Sequence, residues 1–194
     1  MKRIGILLGA SILVLWLSVS IQATLVDMND GTVYDTATQL SWLKNANSGG
    51  SPMNWDQAVA WAASLNSGIG FAGLKGWRLP ETAQPDATCS YQAAPGDSFP
   101  LQGYGHKCTG SEMGHLYYVS LGNTAGGLLT NRGPFENIQA DDYWSGTAFA
   151  PNTESGWFFF FFNGLQNYTN KATCYYVWAV RPGARVQSKP MPPR

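Results

Sequence analysis

The block Gly76-Trp77-Arg78-Leu79-Pro80 limits the architecture of this chain more than any other stretch. Proline biases the residue before it toward extended backbone and has no N–H with which to continue a helix, so the block reads as a short buried strand that stops at Pro80. Successive strand residues face opposite sides, which turns Arg78 away from Trp77 and Leu79. Arginine is rarely buried without a partner, and its ordinary use here is structural, stacked on a ring or bonded to a carboxylate. A helix precedes the block: Asn54 is a good N-cap, and Trp55, Ala58, Val59, Ala62 and Leu65 follow at helical spacing to about Asn66. Gly68-Ile69-Gly70-Phe71-Ala72-Gly73 matches the dinucleotide glycine pattern but follows a helix instead of a strand, and it reads as a loop.

The N-terminus carries Lys2 and Arg3, an apolar run from Ile4 to Ile21 and a small-residue exit at Ala23. This is the pattern of a signal peptide over residues 1–23, with an uncleaved membrane anchor as the other reading. Export follows, to periplasm, outer surface or medium. Loss of that segment leaves ten basic against twelve acidic residues, so nothing forms a basic footprint for nucleic acid. With only 12% charged residues but 22 Gly, 8 Trp, 9 Tyr and 9 Phe, the surface must rely on amides, hydroxyls and glycine, as in loop-rich exported domains. One domain over 24–182 and a disordered proline-rich tail over 183–194 are predicted.

In an oxidising compartment two of the three cysteines pair by default. Cys89 and Cys108 bracket a Gly/Pro-rich segment with little core pattern, where a staple is needed. Cys174 lies in the run Cys174-Tyr175-Tyr176-Val177-Trp178-Ala179-Val180 and reads as a buried free thiol.

Asp30-Gly31 is a turn signal, and the segment from Thr24 to Trp42 is predicted to form two short strands around turns. The segment Glu81 to Lys107 reads as an irregular excursion. Thr109 to Glu112 fits a capping box for a second helix carrying Met113, Leu116, Tyr117 and Leu121, with Gly122 as its stop. Gly126 to Gln139 reads as an exposed loop. Three aromatic segments follow, Tyr143–Phe149, Trp157–Phe162 and Tyr175–Arg181, and they predict an antiparallel sheet. Its middle strand carries five phenylalanines, Phe158 to Phe162, which need cover on both faces.

Two groups of residues carry functional readings. Asp141, Asp142, Asn152, Glu154, Asn163, Asn167 and Tyr168 gather around the turns of the aromatic sheet; their oxygens suit calcium or a sugar, and their ordinary use is in turns. Asn167-Tyr168-Thr169 also fits a glycosylation sequon. His106, Cys108, Glu112 and His115 form the one cluster with metal-ligand chemistry. Oxidation of Cys108 and capping by Glu112 compete with that use, so no metal, cofactor or catalytic residue is expected. A phosphate loop, Gly-x-Ser-x-Gly and His-Glu-x-x-His are all absent.

Asp30 to Thr36, Leu40-Ser41-Trp42, the Trp55 to Leu65 helix, Gly76 to Pro80, Tyr143 to Thr147, Phe162-Asn163-Gly164 and Val177 to Arg181 together resemble the family named for the C-terminal domain of the Legionella collagen-like adhesin. The likeness covers nearly all of the chain after residue 23. It implies an exported bacterial protein with a fold similar to C-type lectins and formylglycine-generating enzymes, in which N- and C-terminal strands pair, two helices flank a sheet and long loops carry function. Trp77, Arg78, Pro80, Trp144 and Arg181 belong to the matching blocks as structural residues. The adhesin itself is implied to bind sulfated polysaccharides and to form trimers; this chain has neither collagen-like repeats nor a basic surplus.

The sequence therefore predicts an α+β, C-type-lectin-like domain with a mixed, mainly antiparallel sheet. Its expected role is an exported binding module for carbohydrate or a surface protein, using loops between Asn123 and Thr173. Homo-oligomerisation stays open, and membrane contact runs only through an uncleaved N-terminus. The alternatives are an envelope metal-dependent enzyme using the His106/Cys108/Glu112/His115 cluster and a structural subunit of a surface assembly.

Overall fold

The computed structural model describes residues 24–94, 96–97 and 101–183. The expected signal over 1–23, and the expected tail beyond Gly183, lie outside the described residues. Among the described residues no helix is long and apolar enough to cross a membrane.

The chain is α+β, as its sequence pattern requires. Strands β1 (Leu25–Asp27), β2 (Thr32–Asp35) and β3 (Leu40–Leu43) form an antiparallel meander. Each turn is closed by an aspartate: Asp30 Oδ1 accepts from Thr32 N at 2.9 Å, and Asp35 Oδ1 accepts from Ala37 N at 2.9 Å. The last strand, β9 (Val180–Pro182), pairs antiparallel with β3, with Trp42 opposite Val180. The start and end of the domain thus share one sheet, as the resemblance implies.

Helix α1 (Trp55–Ser64) begins where expected, with a capping box between Asn54 and Gln57. Its end is tied to the Trp-Arg-Leu-Pro block by one side chain. Asn66 Oδ1 accepts from Gly76 N and Trp77 N, both at 2.8 Å, while its Nδ2 donates to Trp77 O at 2.9 Å and to Ala63 O at 3.2 Å. Asn66→Ala leaves these main-chain groups to find water or go unpaired. We expect a loss of about 2 kcal/mol in urea unfolding, a cost set by stranded polar groups; a change under about 0.5 kcal/mol would contradict the clamp.

The block itself is less regular than predicted. Trp77 and Leu79 are each 3% exposed, but among the described residues the block's ladder contact is a single antiparallel bridge between Arg78 and Val180. Pro80 then directs the chain away, and its carbonyl accepts from Gly146 N and Ser145 Oγ.

A second antiparallel sheet contains β6 (Asp142–Ala148), β7 (Ser155–Phe160) and β8 (Leu165–Asn170) in that order. Strand β7 is covered on both faces. Phe159 packs into the larger core with Trp42, Tyr143 and Trp178, whereas Phe158 packs into a smaller one with Ala58, Leu79, Trp144 and Val177. Pairing stops at Phe160, and Phe162, already in the turn, is 40% exposed.

The third aromatic segment corrects the prediction. Tyr175–Arg181 contributes isolated bridges at Tyr175 and Tyr176 and joins a named strand only at Val180. The third strand of the sheet is instead the polar Leu165–Asn170, paired along its length with the apolar β7. Cys174 precedes the first bridged residue of its run and follows a turn, so it is exposed rather than buried. The segment Gly126 to Gln139 is likewise not a plain exposed loop, because Leu129, Phe135 and Ile138 enter the larger core. Phe135 packs edge-on to Trp178 at 4.9 Å.

The second helix also departs from its expected cap. Helix α2 (Glu112–His115) has Ser111 at its N-cap with no side-chain bond, and it continues as a π-helical turn over Leu116–Ser120. The capping box with Thr109 is not formed, because Glu112 is bonded to Arg78 instead. Met113, Leu116, Tyr117 and Leu121 are all buried, as their spacing predicts.

Candidate binding surface

The Trp-Arg-Leu-Pro block is held by charge. Arg78 grips Glu112 through two parallel bonds, Nη1 to Oε2 at 2.8 Å and Nη2 to Oε1 at 2.7 Å, and Glu81 N donates to the same carboxylate at 2.8 Å. The bonds to Glu112 raise the Arg78 guanidinium above its ordinary value. Arg78 thus has the structural use expected of it. Trp144 and Arg181 act alike: Trp144 Nε1 donates to Met53 O at 2.9 Å and Arg181 Nε donates to Lys75 O at 2.7 Å.

The excursion after Pro80 is built onto the aromatic sheet. Cys89 and Cys108 are disulfide-bonded, as predicted. The enclosed chain forms a two-strand hairpin, β4 (Tyr91–Gln92) and β5 (Gly103–Tyr104). Gly105 and Gln166 then exchange main-chain bonds at 2.9 and 2.7 Å, attaching the hairpin to β8. Gly105 has φ +94°, and a Cβ there would meet the Ser90 hydroxyl, so glycine is needed at the junction. At the far end of the staple, a Cβ on Gly114 would collide with the Cys108 carbonyl, which lets α2 pack directly on it.

Two grooves flank the line where residues 80–82 meet β6, a line closed by Gly146 N to Pro80 O and by Thr82 N to Thr147 Oγ1 at 2.9 Å. One, of about 260 Å³, lies between α1 and the block and is lined by Val59, Ala62, Trp77, Arg78, Leu79 and Glu81 among others. The other, of about 430 Å³, lies between the excursion and the sheet, with Thr82, Gln84, Gln102, Thr147, Ala150 and Trp157 in its wall. Among the described residues no charged one lines this larger groove. Its wall is rigid, since the Gln84 amide exchanges two bonds of 2.8 Å with Gly103.

Beside this groove runs a strip of rings. Tyr91 and Tyr104 lie 4.4 Å apart across the hairpin, and Tyr168 meets Tyr104 edge-on at 6.4 Å. Tyr168 is backed by Phe149, stacked at 3.8 Å, and by Trp157 at 5.7 Å. Burial, with the Tyr91 hydroxyl second, pushes the Tyr104 phenol up to about 12.

The candidates around the sheet turns do not converge on one point. Asp141, Asp142 and Asn163 sit at the end of the sheet where β6 starts and β7 turns into β8; Asn152 and Glu154 sit at the other end, in the β6–β7 turn. Asn167 and Tyr168 lie between, opposite Phe158 and Trp157. Asn152 and Asn163 close their own turns on Glu154 N and Leu165 N, and Asn167 and Asp141 each accept from the following amide. Of the seven, Tyr168 is the one in contact with the larger groove's wall, through Trp157.

Asp142 has a different property. Burial first, and the Asp141 carboxylate second, push its carboxyl up to about 6. The folded chain therefore holds this proton where the unfolded chain has released it. Ionisation costs stability as pH rises from about 4 to about 6, and the full cost is present above that window. Asp142→Asn is expected to raise Tm at about pH 7.5 and to match the parent near pH 4; equal shifts at both values would contradict the assignment.

The metal-ligand cluster is not assembled. Cys108 is oxidised, Glu112 is held by Arg78, and the His115 ring lies 3.4 Å from Ser120 Oγ and 4.0 Å from the buried Asp35 carboxylate. Among the described residues the group with metal-compatible spacing is Asp86, Cys89 and Cys108. Its sulfurs are bonded to each other, and Asp86 accepts from Thr88 N, Thr88 Oγ1 and Gly110 N.

Paired first and last strands, a three-stranded aromatic sheet and a stapled excursion define an α+β domain. A family model described as the Lcl C-terminal domain matches residues 31–181, from β2 to β9, and the chain belongs to that family, as an adhesin-related module. No curated protein and no solved structure matches the chain.

Proposed function

We propose that this domain is an exported binding module that recognises carbohydrate on the surface where the stapled excursion meets the aromatic sheet. The observation that carries the reading is the groove of about 430 Å³ lined by hydroxyl, amide and apolar groups. Sugars present both hydroxyls and apolar C–H faces, and pre-formed concave sites with a few fixed polar groups favour such ligands. The disulfide and the Gln84 clamp pre-organise one wall, which lowers the ordering cost of binding. The other wall, Thr147 to Ala150 with Trp157, falls within the loop region expected to act, whereas the excursion was not part of it.

A glycan array combined with a pull-down from envelope extracts tests this reading. Retention of a defined set of glycans supports it. An empty array with an empty pull-down removes it, and capture of a surface protein with no glycan retained replaces carbohydrate with protein as the partner.

A further inference from the structure

We propose that the Tyr91–Tyr104–Tyr168 strip is a stacking platform for an uncharged polysaccharide chain whose hydroxyls enter the adjoining groove, an inference that rests on the carbohydrate reading above. Three observations carry it together.

The rings are fixed from behind. Tyr91 is 45% exposed, yet its position is set by the β4–β5 register, by the staple and by the Gly105–Gln166 bridge. Tyr168 is backed by Phe149 and Trp157, both fully buried. Rigid tyrosines with few rotatable bonds give contact area at little entropic cost, each with an apolar face and a polar tip.

The strip and the groove are continuous. Trp157 lines the groove and touches Tyr168, and Gln102, also in the groove wall, is adjacent to the β5 pair that carries Tyr104. A pyranose stacked on the strip therefore has hydroxyl and amide groups of Thr82, Gln84, Gln102 and Thr147 beside it.

The charge pattern selects the class of glycan. Among the described residues no cation lines the groove, and Asp97 stands at the edge of the platform, its Oδ2 lying 3.5 Å from the Tyr91 hydroxyl and accepting from Ala94 N at 2.7 Å. A carboxylate at this place repels sulfate and carboxylate groups and leaves a neutral chain unaffected.

Titration of the purified full chain with soluble uncharged β-glucan and mannan, and with heparin as the sulfated probe, tests the inference. We expect binding to an uncharged polysaccharide, with Kd changing less than about twofold between about 50 and about 500 mM NaCl. Tyr91→Ala should weaken it roughly tenfold and Tyr91→Phe less than about twofold, with Tm unchanged in both. Salt-sensitive binding of heparin alone, or uncharged-glycan binding indifferent to Tyr91→Ala, overturns the inference while leaving a carbohydrate module standing. Binding to neither kind overturns the inference, and the carbohydrate reading is then decided by the glycan array and pull-down.

Discussion

Replacing Arg78 with alanine is expected to lower stability by about 2–3 kcal/mol. Its guanidinium makes two charge-assisted bonds to Glu112, and that carboxylate cannot simply return to water, since its side chain is only 19% exposed. Breaking a fully buried pair by removing one partner costs about 3–5 kcal/mol, and exposed pairs contribute under about 1. Arg78 itself is 33% exposed, which places the expected loss between these limits, near the upper one. Glu112 keeps the bond from Glu81 N, and this tempers the penalty. Glu112→Ala is expected to cost less than Arg78→Ala, because the orphaned guanidinium reaches solvent. Urea unfolding of the two single variants and the double variant measures the coupling, and a coupling indistinguishable from zero would contradict a structural role for the pair. Arg78→Lys should recover only part of the loss, since an ammonium cannot make the paired fork.

The double variant Cys89→Ala, Cys108→Ala is expected to lose about 3 kcal/mol. The staple closes a loop between residues 19 apart, and chain entropy assigns about that much to a loop of this size. The loss should be local in its consequences. Among the described residues neither core includes any residue from Cys89 to Cys108, so near-ultraviolet circular dichroism from the tryptophans is expected to persist. Amide exchange should instead accelerate at Ser90, Gly103 and Gly105, whose bonds to His106, Gln84 and Gln166 depend on the excursion staying on the sheet. A loss under about 1 kcal/mol with unchanged exchange would show that the hairpin is held by its sheet contacts alone.

Features written in local chemistry were legible in the sequence. The Asn54 cap, the Asp30-Gly31 turn, the pairing of Cys89 with Cys108 and the structural use of Arg78 all follow from residue types at fixed offsets. What could not be read depended on a distant partner. Thr109 and Glu112 have the spacing of a capping box, but a carboxylate offered a guanidinium takes the stronger bond, and that guanidinium is 34 residues away. Leu165–Asn170 looked like turn sequence because its amides and hydroxyls carry no core pattern. It becomes a strand because β7, buried on both faces, supplies an edge with unsatisfied main-chain groups. The run after Cys174 looked like a strand for the opposite reason: Trp178 is buried in the larger core and Tyr175 and Tyr176 pack against the two cores, with isolated bridges until the run joins β9 at Val180. The proposed binding surface was half legible. Tyr168 was marked as one of the oxygen-bearing residues around the sheet turns and the β6–β7 region by its aromatic content, whereas Tyr91 and Tyr104 sit in a segment with no periodicity, and the staple and the Gly105–Gln166 junction bring them alongside.

Ala150 stands in the wall of the larger groove, exposed and outside both cores, so a large side chain there fills the space without disturbing the fold. Binding isotherms of the parent and of Ala150→Trp, taken against the glycan that the parent retains most strongly, put the surface itself to the test. Blocking the groove is expected to weaken binding at least about tenfold at unchanged Tm; a variant that binds as tightly as its parent would show that the ligand lies elsewhere on the domain.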